Sequence, residues 1–426
     1  MSCCGGSATP GASGQVGTDG QVGTDGQAGT DGQAGADGQA GADGQAGASP
    51  AVAGQGRSRV GRALCVDVGA GTTDILLTRR GEALENAFKL VVPAATQVVG
   101  RRIATATARG ATIVLRGPVM GGGASTAAMK RHLAAGAGFV ATEEAVLTFA
   151  DDPERARRLG VQVVGDEEAG VLLDGARDGL VEVRAGDLDV EALLAAFARL
   201  GLEPGFDAVA VAVQDHGFSP EGSNRVFRFG FWERAVAERR PLGALFYDDG
   251  TLPAALTRLR AALEAARRLA AGSVGDEEAG GAPARLLVAD TGPAALYGAL
   301  PEGRDDAVLV NVGNGHTVCA VAREGSLAGV FEHHTRLLDG PGLVERLRRF
   351  LAGGMTNDEV RDDGGHGAVL SAPVPAGLPL IATGPRRAML EGSPLPFEFA
   401  APHGDMMLTG CFGLLRALQE RAGSPQ

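Results

Sequence analysis

Two short segments constrain this chain more than anything else in it. One reads Asp67-Val68-Gly69-Ala70-Gly71-Thr72-Thr73-Asp74, the other Asn311-Val312-Gly313-Asn314-Gly315-His316-Thr317. Each links two β-prone runs, 63–67 to 73–78 and 307–312 to 316–322. The pattern predicts two glycine-tipped hairpins. Glycines let backbone N–H groups converge on an anion, and threonine hydroxyls add donors. Asp67, at a strand end, is placed to hold Mg²⁺, which prefers oxygen ligands and keeps several waters. Asp74 either shares that task or fixes the turn. Ordinary turns select the same residues, and Asn-Gly is a favoured hairpin tip. The pairing of the two hairpins favours the phosphate reading.

Other segments add chemistry. In Ile381-Ala382-Thr383-Gly384-Pro385-Arg386 a strand ends in Thr-Gly and a helix is expected after Pro385. Such a turn lets an aromatic base lie on Gly384 with Arg386 stacked over it. The buried strand 207–214 runs into Gln214-Asp215-His216-Gly217 and on to Asn224-Arg225, where α/β sheets place ligands. Asp215 is the candidate base, with His216, Asn224 and Arg225 as candidate substrate contacts. Gly117 to Gly123 precedes a helix, either as an anion loop or as a flexible link. Asp405 is expected to cap the last helix, with His403 beside it in a loop. His333-His334 and Gly365-His366-Gly367 lack ligand partners nearby in sequence and give no support for zinc.

Composition bounds the rest. The 426 residues carry 51 acidic and 39 basic side chains, net −12, which argues against a nucleic-acid-binding protein. No apolar run is long enough to span a membrane, and the first twenty residues lack a signal-peptide pattern; a cytoplasmic protein is expected. Cys65, Cys319 and Cys411 are isolated in apolar sequence and read as small buried hydrophobes, and Cys3 and Cys4 sit in the tail. The only lysines, Lys89 and Lys130, lack a Walker context.

From Gly14 to Gly47 glycine recurs at every third position with no proline inside. Without imino acids a collagen triple helix is not expected, and the repeat reads as a disordered, acidic Gly-x-y tail. The expected organisation is a tail at 1–57, a first α/β lobe with insertions at 58–300 and a second at 301–426. A linker is expected at 272–283. Two lobes that each open on a glycine hairpin imply a cleft between them.

The two hairpins and the Thr-Gly turn resemble the phosphate and adenosine motifs of the sugar kinase, actin and heat-shock chaperone ATPase superfamily. The resemblance implies two actin-like, ribonuclease H-like lobes closing on ATP and Mg²⁺. It makes Gly69, Gly71, Thr72, Thr73, Gly313, Asn314, Gly315, Thr317, Gly384 and Arg386 nucleotide contacts, Asp67 and Asp74 metal contacts, and Asp67 and Asp215 catalytic. More narrowly, ENAFKLVVPAATQ (85–97), RGPVMGGG (116–123), AVQDHGFSPEGSNRVFRF (212–229) and PHGDMMLTGCFG (402–413) resemble a prokaryotic family labelled pyruvate formate-lyase activating enzymes. That label implies a Cys-x-x-x-Cys-x-x-Cys cluster site, which this sequence does not contain. Asn311 stands where the superfamily pattern has aspartate, so a second carboxylate near the metal is missing. The expected function is phosphoryl transfer to an unknown small molecule, or ATP hydrolysis coupled to one. The alternative is a nucleotide-gated switch or activator of a partner enzyme, with slow or no turnover; the partners to be expected are a protein or a second copy of the chain in a homodimer.

Overall fold

In a computed structural model, residues 57–175, 179–202, 205–272 and 283–423 are described. The glycine-rich repeat, Cys3, Cys4 and nearly all of the expected linker lie outside them. The first sheet is built from β1 (Ala63–Val68), β2 (Thr72–Thr78) and β3 (Phe88–Pro93). After these comes an insert carrying β4 (Thr112–Arg116), β5 (Phe139–Thr142), β6 (Gln162–Val164) and β7 (Leu180–Arg184). The first sheet resumes with β8 (Ala208–Val213), β9 (Phe246–Tyr247) and β10 (Arg285–Ala289). The last stretch carries β11 (Ala307–Val312), β12 (His316–Arg323), β13 (Ser326–His334), β14 (Gly367–Leu370), β15 (Leu380–Thr383) and β16 (Phe397–Phe399).

The strand order repeats. The first sheet runs β3-β2-β1-β8-β10-β9 and the second β14-β13-β12-β11-β15-β16. In both, an antiparallel meander of three strands has its first member paired in parallel with a later strand, β8 or β15. This is a ribonuclease H-like topology occurring twice, the actin-like α/β architecture. The insert is a separate parallel sheet, β6-β5-β4-β7.

β1 and β8 are buried at every position because both faces are covered. Alternation then sorts the side chains. Leu64, Val66 and Val68 join Val209, Val211, Leu259 and Leu263 on one face. Ala63, Cys65 and Leu76 point the other way, into a core shared with Leu309, Val318 and Ile381 of the second sheet. Helix Thr409–Gly423 belongs to that shared core through Leu414 and Leu415, and packs on β1, β8 and helix Thr291–Ala299. The two sheets are therefore tied behind the hairpins. The three body cysteines are fully buried, and burial pushes their thiols far up.

Several expectations shift. The final helix begins at Thr409, after Asp405 has turned its carboxylate onto the Met407 N–H. After Pro385 the chain makes only a short 3₁₀ turn, Arg387–Leu390, rather than a helix. The insert's strands β5 to β7 and the helices Ala95–Ala108 and Asn224–Ala237 were not anticipated by the sequence reading.

Candidate nucleotide cleft

Both hairpins turn in the same way. The Gly69 N–H donates to the Thr72 carbonyl (2.9 Å), and the Gly313 N–H to the His316 carbonyl (3.0 Å). The loops then meet. A Cβ on Gly71 would run into the Asn314 side chain, and one on Gly315 would sit 3.3 Å from the Ala70 methyl. Glycine at 71 is thus what lets the first loop approach the second so closely.

Between them lies a cleft of about 90 Å³, open to solvent, lined by Asp67, Gly69, Thr72, Asp74, Gly313, Asn314, Gly315 and Gly384 among others. Eight of the predicted site residues are thereby gathered from three separate segments. Gly384 sits at φ +97°, and a Cβ there would lie 2.5 Å from both Asn311 Oδ1 and the Val312 carbonyl oxygen. Only glycine combines that backbone with that clearance.

Asp67 and Asp74 are Cα partners across the hairpin. Both are buried, and one oxygen of each, Oδ1, has no hydrogen-bond partner among the described residues. Burial first and the nearby Asp74 charge second, opposed by a Thr291 hydrogen bond, together push the Asp67 carboxyl up to about 8. Burial likewise pushes Asp74 up to about 6, against a Thr72 hydrogen bond. Two buried carboxylates with unused oxygens are the donor set of a hard cation, and Mg²⁺ fits it. Gly410, at the start of the last helix, lies against the Asp67 carboxylate, with no room for a Cβ.

Other predicted residues fall elsewhere. Thr73 is buried and faces a different cavity, shared with the insert. The Thr317 hydroxyl pairs with the buried Thr335 hydroxyl (3.0 Å), just beyond the end of β13. Arg386 is exposed, and it is Arg387 that reaches the Gly384 carbonyl. Asp215 is committed to structure: its carboxylate accepts from the N–H groups of Gly217 (2.7 Å) and Leu259 (2.8 Å), the latter in the first turn of helix Thr257–Ala271. It lines a small separate pocket with Trp232 and Tyr247. Asn224 bonds Asp151, and Arg225 reaches the Gly365 carbonyl. The glycine loop at 117–123 has its Met120 and Gly121 N–H groups taken by Thr148 and Asp187, which answers for it without an anion. His403 stacks on Phe412, 4.7 Å between ring centres.

Three features escaped the sequence reading. Gln214, not Asp215, presents a side chain to the cleft at the end of β8, and Met406 and Met407 form part of its wall. Arg228 is buried on helix Asn224–Ala237, donating to Glu332 (2.9 and 3.1 Å), to Asp290 (2.5 and 2.9 Å) and to the Asp215 carbonyl (2.7 Å). Burial works against ionised Asp290, but the guanidinium outweighs it and holds that carboxyl below its ordinary range. Finally, His216, His316, His334 and His366 converge beside the second hairpin, with ring centres 4.5–5.6 Å apart in the five close pairs. His334 and His366 do have partners, brought by the fold rather than by the sequence. No single-sequence signal links them except that each sits at a strand end or in a glycine turn.

A protein-family model described as "Putative pyruvate format-lyase activating enzyme (DUF1786)" matches residues 120–389, more than half of the chain. No curated protein matches it. Among solved structures it is similar to the ethanolamine utilization protein EutJ from Carboxydothermus hydrogenoformans, with 11% identity, 83% of this chain and 88% of that one covered, and a TM-score of 0.27. It is also similar to MreB5 of Spiroplasma citri bound to ADP, with 10% identity, coverage of 86% and 100%, and a TM-score of 0.31. Both likenesses are remote, and the fold assignment rests on the repeated sheet topology.

Proposed function

The chain belongs to the DUF1786 family, and from that premise we propose that it binds ATP with Mg²⁺ in the cleft between its two hairpins. One observation carries the reading: two facing glycine turns of identical hydrogen bonding, with a buried, under-satisfied aspartate pair at the root of the first. The loops would cradle the phosphates through Gly69, Thr72, Gly313, Asn314 and Gly315. Asp67 and Asp74 would hold Mg²⁺ directly or through water, and the metal would offset charge on the phosphate oxygens. The base would lie toward Gly384 and Pro385. Gln214 is the side chain placed to orient an attacking water or hydroxyl, a role Asp215 cannot take while both its oxygens hold backbone N–H groups.

A second reading is a nucleotide-gated switch or activator with slow turnover. Asn311 favours it, because the equivalent end of the second hairpin offers no carboxylate. The family description names an activating enzyme, but the radical chemistry it implies has no cysteine site here, and we do not assign it. The acceptor would be a small molecule or a protein partner. Equilibrium binding of a fluorescent ATP analogue tests the shared core of both readings. Saturable binding that needs Mg²⁺ and is displaced by ATP supports it; binding indifferent to Mg²⁺ and to ATP overturns it. Phosphate release at kinase-like rates would then remove the switch reading.

A further inference from the structure

We propose that His216, His316 and His366 form a site for one divalent first-row transition-metal ion, with His334 as a neighbouring fourth imidazole. The chain has only seven histidines, and four of them meet here from separate segments. His216 follows β8, His316 opens β12, His334 closes β13 and His366 immediately precedes β14. The β12–β13 register makes His316 and His334 Cα partners, which brings their ring centres within 4.5 Å of each other, the planes tilted by 49°. One ring nitrogen each from His216, His316 and His366 can be chosen so that all three lie within 4.8 Å of one another. Tetrahedral zinc–nitrogen bonds place ligand atoms roughly 3.3 Å apart, so modest ring rotations close the site.

The alternative is a set of ordinary core histidines, and the chain provides its own comparison. His132 is fully buried, and both its ring nitrogens are served, by Thr107 Oγ1 at 2.8 Å and the Gly138 carbonyl at 2.9 Å. His366 is equally buried, yet among the described residues neither of its nitrogens has a partner, and the same holds for both nitrogens of His316. Buried polar atoms left unpaired carry an uncompensated desolvation cost, and a shared metal ion removes part of that cost from both rings at once.

The donor set fixes the class of ion. Imidazoles without carboxylate or thiolate suit zinc, copper, nickel, cobalt or ferrous iron, and do not suit Mg²⁺ or Ca²⁺. Three protein nitrogens leave a coordination position for water or an anionic oxygen. Because His316 also lines the cleft, that ion would border the phosphate loops while remaining distinct from the Asp67–Asp74 pair. The site stands whether or not the cleft takes ATP.

The test is Co²⁺ titration of the full chain after chelator treatment, with Cys3 and Cys4 replaced by serine to remove competing thiolates and no nucleotide present. The expected result is uptake of one Co²⁺ per chain with visible d–d bands of a low-coordinate site. His366→Ala and His316→Ala should abolish the bands, as should the milder His216→Gln if either alanine variant fails to fold. His403→Ala and Asp67→Asn should keep them. Absence of stoichiometric uptake by the chain with all four cluster histidines intact would overturn the proposal, as would bands that survive loss of His216 or His316, or that vanish with Asp67.

Discussion

Asp67 and Asp74 face each other across the first hairpin, and each keeps one buried oxygen that no donor among the described residues reaches. Like charges opposite one another in a sheet are destabilising, so this pair asks for a cation. Burial, reinforced by Asp74, lifts the Asp67 carboxyl to about 8. The folded protein then holds that proton more tightly than the unfolded chain does. Without Mg²⁺, this stabilisation is complete below about pH 4 and is lost as pH rises toward 8. Chemical denaturation of the metal-free protein across that window should show falling stability. Asp67→Asn should flatten the slope and, near pH 8, be more stable than the parent chain by a kcal/mol or more.

Gly71 and Gly384 should respond differently to alanine. At Gly71 the obstacle is the end of the Asn314 side chain, which can swing away. The variant should fold with little loss of stability but bind nucleotide more weakly. At Gly384 the obstacle includes backbone, and φ is +97°. That variant should lose about 2–4 kcal/mol by urea unfolding.

Asp215→Asn separates a structural role from a catalytic one. The amide cannot accept from both Gly217 and Leu259 as the carboxylate does. Stability should fall by about 1–2 kcal/mol, while affinity for the nucleotide analogue stays unchanged. Gln214→Ala should do the reverse and slow phosphate release without a comparable loss of stability.

Arg228→Met should be the most damaging of these changes. It strands Glu332, which is fully buried with Arg228 and the Trp232 indole as its charged and polar partners. Removing one partner of a buried pair costs about 3–5 kcal/mol. Adding Glu332→Gln should recover part of that loss in thermal unfolding.

The fold was largely legible because its repeated unit has a local signature. An apolar strand, a Gly-x-Gly turn and a second strand appear twice, and both hairpins formed where the pattern placed them. The Thr-Gly turn marks Gly384 in the sequence as a resting place for an aromatic base; the positive φ that demands glycine there is seen only in the structure. What failed was partner choice. Asp215 and Gln214 are adjacent at the end of one strand, and sequence could not say which faces the cleft; alternation along β8 sends Gln214 there and turns Asp215 toward helix Thr257–Ala271. The threonine pattern points Thr73 and Thr317 at the phosphates, but the first faces another cavity and the second is bonded to Thr335 just beyond β13. The four histidines are far apart in sequence; the pairing of β13 with β12 and with β14 brings His316, His334 and His366 together, and His216 joins them from the end of β8. The strands of the insert are short and flanked by polar helices, which blurs their period.

The most direct measurement is thermal unfolding with ATP and Mg²⁺, each alone and together, for the unaltered chain and for Asp67→Ala. A ligand at a hundred times its dissociation constant stabilises by about 2.7 kcal/mol, which moves the midpoint by several degrees or less in a chain of this size. The account predicts a rise that needs both ATP and Mg²⁺ and disappears in Asp67→Ala. No rise in the unaltered chain, or an equal rise in Asp67→Ala, would contradict it.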